Sequence, residues 1–259
     1  MTTSGELERV ILAEGSTAAL LAARLGGLVL VAPIYSSRTI PIRARATVLI
    51  LLTVALLPSV ATVTVTPSPV RLIVESGIGL IIGLAASFYI AGATGAGDLL
   101  ATQMGLSAAT VLNPASGESV PILGQFAQLM ALAIILSLGG HLLMIEAVSE
   151  SLAIAPLGEA VTIEGGLLGL VELAGRVFMI ALRFAAPIIA ILLVGNVVLG
   201  VLGRAAPQMN LLMVAFPVQI GVGLLALAAA IPIIGTILGS WPFDFAEDFE
   251  HLMNSLVGG

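Results

Sequence analysis

The chain has 259 residues and a formal net charge of −6, with only 9% charged residues and a mean hydropathy of +1.17. Soluble domains carry roughly 25% charged residues, so a water-facing surface of ordinary area is excluded. All nine basic residues are arginines, which excludes lysine Schiff-base and P-loop chemistry and argues against nucleic-acid binding. With no cysteine and two histidines, disulfides, thiolate catalysis and histidine-rich metal centres are excluded as well. The composition is that of a polytopic membrane protein.

Charge-free stretches at 46–70, 76–97, 119–145, 184–203 and 205–243 place the crossings. A helix needs about 20 apolar residues to span a bilayer core, and a central charge is costly. Six hydrophobic segments follow, at about 10–32, 46–65, 72–96, 122–147, 167–194 and 211–238. Their continuous Leu- and Ala-rich runs lack the alternation of barrel strands. The polar, acidic start MTTSGELERV does not read as a cleavable signal peptide. The expected fold is all-α, an integral membrane protein of about six helices with kinked hairpins.

In chain order, the first segment contains Arg24, with Glu14 ten residues earlier. The loop after it holds Arg38, Arg43 and Arg45 and no acid. Arginine bias towards the cytoplasm then puts both termini outside and the connections at 33–45, 97–121 and 195–210 inside, although Arg9 and Arg71 oppose this. The third segment carries Gly79-x-x-x-Gly83, a spacing that lets membrane helices approach closely. Stretch 97–121, GDLLATQMGLSAATVLNPASGESVP, is too apolar for a plain loop and too rich in turn residues for a crossing. It reads either as a re-entrant, plug-like loop or as an interfacial amphipathic helix with a turn.

His141 follows Gly139 and Gly140, and Glu172, Arg176 and Arg183 fall inside the fifth segment, with Glu172 and Arg176 four apart. Structural ion pairing within an assembly is favoured over a transport relay for these residues, and backbone satisfaction over proton relay for His141. Pro187, Pro217 and Pro232 kink the last two segments. No catalytic constellation, cofactor site or metal site is visible. A secondary transporter would put Arg183, Glu172 and His141 near a midplane site, often with repeat symmetry, and the sequence shows no such repeat. An intramembrane hydrolase would need a pair such as Ser151 with His141.

Three blocks of residues carry a resemblance. The first is 24–43, with Ala32-Pro33-Ile34, Arg38 and Ile40-Pro41. The second is Gln103-Met104-Gly105-Leu106-Ser107, Ala109-Thr110, Pro114-Ala115-Ser116 and Pro121, followed by Gly140-His141. The third is Pro187, Asn196, Gly200, Arg204, Ala206-Pro207-Gln208 and Phe216-Pro217. In this order and spacing, across essentially the whole chain, they resemble the FliR family of flagellar export-gate proteins, related to the virulence secretion subunit. The second block is closer to the flagellar branch. Asn113 departs from the acid that many relatives carry there.

The resemblance implies a non-enzymatic, pore-forming core subunit of the flagellar type III export gate, passing unfolded proteins across the bacterial inner membrane at the basal body. It implies FliP-like and FliQ-like companions in a helical hetero-oligomer, and an FlhB-like partner on the cytoplasmic side. Residues 1–165 then form a FliP-like part, 166–240 a FliQ-like hairpin and 241–259 an acidic tail. On the resemblance, the loop at 104–120 is expected to help close the pore, with Gln103, Met104, Gly105, Leu106, Ser107, Thr110, Asn113, Pro114, Ser116 and Pro121 as the functional residues in and beside it. Asn196, Arg204, Pro207 and Gln208 meet the cytoplasmic partner, and Arg24, Arg38, Arg43, His141, Glu172, Arg176 and Arg183 serve assembly. The alternatives are a secondary transporter or a virulence-type gate subunit.

Overall fold

The computed structural model describes residues 4–37, 40–60, 62, 66–106, 122–159, 163–206 and 211–257. Helices α1 (Ser4–Val31), α2 (Ile42–Leu56), α3 (Pro69–Gln103), α4 (Ile122–Ser137), α5 (Gly140–Ile154), α6 (Ile163–Ala205), α7 (Leu211–Gly239) and α8 (Trp241–Val257) account for most of them. No strand occurs among the described residues. Among the described residues, five helical spans are long and apolar enough to cross a membrane, or six if α4 and α5 count as one broken span. The chain is therefore an all-α integral membrane protein.

Several boundaries differ from those read in the sequence. Helix α2 gives way to the turn Leu57–Ser59 well before position 65, because Pro58 has no backbone N–H to continue the ladder. The fourth segment breaks at Gly139, whose φ of 79° lies in the left-handed region that glycine enters without steric cost. Asp98 did not end the third segment: α3 continues through 97–103, so the connection to α4 starts only at Met104. Helix α6 likewise runs to Ala205, which makes Asn196 and Arg204 helical and moves the turn beyond them. The acidic tail is an amphipathic helix, α8, with Phe245, Phe249, Leu252, Met253 and Leu256 buried on one side.

The chain forms two compact units with interleaved sequence. One contains residues 1–88, 136–174 and 242–259. Here α1 and α3 touch backbone to backbone: Gly79 lies on the Arg24 carbonyl, Gly27 on that of Ser76, and Gly83 beside Leu28 and Ala32. The start of α6 meets α8 in the same manner, with Gly165 against the Ser255 carbonyl and Gly166 and Gly169 beside Leu256 and Leu252. The other unit contains residues 89–135 and 175–241. In it Gly97 of α3 packs on Leu123 and Gly124 of α4, and Gly92 packs on Val177 and Ile180 of α6. Tyr89 and Trp241 make an edge-to-face ring contact at 6.2 Å.

Candidate functional site

The connection read as functional has a well-defined root in the second unit. Helix α3 ends in a paired cap: the Leu106 N–H donates to the Ala101 carbonyl (3.0 Å) and the Gly105 N–H to that of Thr102 (3.1 Å). Gly105, at φ +75°, supplies the left-handed residue this cap requires. Met104 is fully buried, with its side chain in a notch left by Gly223 of α7. A Cβ on Gly223 would stand 2.5 Å from Met104 Cγ and 2.6 Å from Cε, so any larger residue there requires the Met104 side chain to move. Gly105 faces the Phe216 ring, with the Gln219 side-chain oxygen beside it. The Gln219 Nε2 donates to Asn196 Oδ1 at 2.5 Å, tying α7 to α6. Gln103 and Leu106 are exposed at this root.

A buried polar junction lies in the first unit. Arg24 is fully enclosed, and its Nε donates to Glu75 Oε2 at 2.7 Å. Its Nη1 donates to the Ser151 carbonyl and hydroxyl (both 3.1 Å), and its Nη2 to the Ala155 carbonyl (2.9 Å). Glu75 Oε1 accepts the Gly158 N–H at 2.8 Å. One guanidinium thus joins α1, α3, α5 and the segment after α5. Every contact satisfies charge internally, the condition under which a buried ion pair is tolerated.

The other expected residues separate by location. Arg43 is exposed in the first turn of α2. His141 is half-buried; its backbone carbonyl accepts from the Tyr35 hydroxyl (3.1 Å), and its Nδ1 has no hydrogen-bond partner among the described residues. Burial raises the Tyr35 phenol above its ordinary value of 10.0, which keeps that donor protonated. Glu172, Arg176 and Arg183 are exposed along α6, and Arg204 is exposed in its last turn, where a cation suits the helix dipole. Arg38, Ser107, Thr110, Asn113, Pro114, Ser116, Pro121, Pro207 and Gln208 lie outside the described residues.

Glu75, the partner of Arg24, carried no role in the sequence reading. It is the lone acid between Glu14 and Asp98, so a search for the counter-charge of Arg24 would have found it. Gly223 carried no motif signal. The Ser151 hydroxyl donates to the Val148 carbonyl while accepting from Arg24, which leaves it no base to activate it. His141 precedes it by ten residues on the same helix, roughly 15 Å along the axis. No group of three or more metal-ligating side chains occurs among the described residues.

An apolar all-α chain with five or six candidate spans among the described residues and a buried Arg24–Glu75 junction is a multispanning membrane protein. The family model described as "Bacterial export proteins, family 1" matches residues 16–241. The chain is 32% identical over 241 residues to flagellar biosynthetic protein FliR of Pectobacterium carotovorum subsp. carotovorum, covering 90% of each chain. It is 32% identical over 218 residues to the FliR protein of Escherichia coli K12 (82% of each). Against that of Caulobacter vibrioides it is 31% identical over 221 residues, 83% of this chain and 88% of the relative. The chain belongs to this family of bacterial export proteins, and it is a membrane-embedded component of flagellar export.

Proposed function

We propose that the chain is a pore-forming core subunit of the flagellar type III export gate in the bacterial inner membrane, and that its 104–120 loop helps close the pore. It passes unfolded flagellar proteins and performs no catalysis. FliP-like and FliQ-like subunits pack around it, and an FlhB-like partner meets the α6–α7 turn near Arg204 on the cytoplasmic side.

The observation that carries this reading is α6. Its 43 residues are about twice the roughly 20 that a crossing of the hydrocarbon core needs. Much of it is exposed and apolar, yet it also presents Glu172 and Arg183 outward. Charges facing lipid are costly and normally face protein or water. Sibling subunits along this helix account for both its length and its outward charges. The loop assignment is supported by its Gly-, Ser- and Ala-rich composition and by its root, anchored among apolar helices through Met104.

The test is purification in mild detergent from cells expressing the whole export apparatus. The expected product is a stable complex with two other small hydrophobic proteins. A lone monomer stabilised by a small-molecule ligand would instead establish a secondary transporter.

A further inference from the structure

Near the end of α3, Gly97 lies on the Leu123 carbonyl and on Gly124, so α3 and α4 touch there backbone to backbone. The carboxylate of the next residue, Asp98, lies directly on Gly124, where any Cβ would overlap its Oδ1. Gly124 thus leaves the space that this carboxylate occupies. The Asp98 backbone carbonyl accepts the Thr102 hydroxyl at 2.9 Å. The carboxylate itself is exposed and makes no hydrogen bond or ion pair among the described residues.

Asp98 is the one acid among the described residues of its unit, whose other charges there are Arg176, Arg183 and Arg204. An unpaired carboxylate on an apolar helix is costly and calls for a counter-charge or water. We propose that Asp98 is a docking point for a sibling gate subunit, which presents an arginine or lysine from an apolar helix. The proposal rests on the reading of the chain as one subunit of a hetero-oligomeric gate and names the chemistry of one contact in it. The surface of α3 suits such an approach. Ala91 and Thr102, at i−7 and i+4 from Asp98, lie on its side of the helix, and both are small and exposed. A neighbouring helix comes close over small residues, which brings its cation within reach of the carboxylate. An ion pair formed there fixes the register of the two subunits and rejects partners without the cation.

The first test is Asp98→Asn, which keeps the shape beside Gly124 and removes the charge. In cells carrying the whole apparatus, its co-purification with sibling subunits is expected to fall by roughly tenfold or more, because the sibling cation is left buried and unpaired. The full-length variant chain, extracted alone in detergent, is expected to keep the thermal stability of the unmodified chain, since no bond within the chain is lost. Unchanged co-purification overturns the proposal. A loss of stability in the isolated variant also overturns it, since the role of Asp98 would then be internal to the fold.

The second test is a charge swap. Asp98→Arg should abolish gate assembly, and replacing the siblings' arginines and lysines by glutamate, one at a time in that background, should restore it at one position. Rescue at no sibling position, or rescue by Arg183→Glu within the same chain, overturns the proposal. The unmodified chain separates the two readings. If it co-purifies with siblings and Asp98→Asn does so equally well, the docking point fails and the gate reading stands. If the unmodified chain itself purifies alone, the gate reading fails and takes this contact with it.

Discussion

Arg24 Nε donates to Glu75 Oε2 at 2.7 Å, between two helices whose paired residues are 51 positions apart and both buried. The same guanidinium holds Ser151 and Ala155. Removing one partner of such a pair leaves a buried charge uncompensated and costs about 3–5 kcal/mol, whereas apolar replacement of both is close to neutral. Glu75→Ala is therefore expected to abolish accumulation of the chain in membranes, and Arg24→Met/Glu75→Leu to recover much of it. Quantitative immunoblotting of membrane fractions checks this. Normal levels of Glu75→Ala would show that the pair is not structural.

Ser151→Ala removes one acceptor of Arg24 Nη1 but keeps the Ser151 carbonyl, so the expected cost is about 1 kcal/mol. Export by Ser151→Ala and by His141→Ala should remain near the unmodified level in a secretion assay. Abolished export at normal protein levels in either variant would revive a catalytic or proton-relay role.

Gly165 lies directly against the Ser255 carbonyl, whereas a Cβ on Gly175 meets nothing within 4 Å. Overpacking typically costs 1–3 kcal/mol, and the backbone contact at Gly165 has little freedom to relax. Gly165→Val should lower thermal stability of the isolated, detergent-extracted chain markedly, and Gly175→Val should barely change it. Equal effects would mean that α8 does not dock on α6.

A photo-crosslinking residue at Arg204 is expected to capture a cytoplasmic-side gate component, since Arg204 is exposed in the last turn of α6. Crosslinks to periplasmic proteins alone would reverse both the partner assignment and the orientation derived from arginine counts.

Much of the fold was legible because a charge-free apolar run of 20 or more residues has few physical alternatives to a helix. The sixth segment, read as 211–238, is helix Leu211–Gly239. Helix ends were less legible, because hydropathy reports burial and not backbone hydrogen bonding. Asp98 and Arg204 were read as lying in the connections at 97–121 and 195–210, yet both are helical. The α8 docking was hidden because its four acids, Asp244, Glu247, Asp248 and Glu250, drew the reading towards a solvated tail, while its apolar positions recur at helical spacing. At the end of α3, the left-handed cap at Gly105 suits the turn chemistry visible in the sequence. The packing of Met104 at Gly223 of α7 was not legible, since a glycine notch formed by helix packing leaves no local signature in the sequence.

The central claim is that the loop leaving α3 at Met104 closes the pore, and membrane conductance in cells carrying a deletion of 105–114 tests it most directly. The gate should still assemble, and the membrane should become leaky to ions and small solutes. Unchanged conductance with a fully assembled gate would contradict the account.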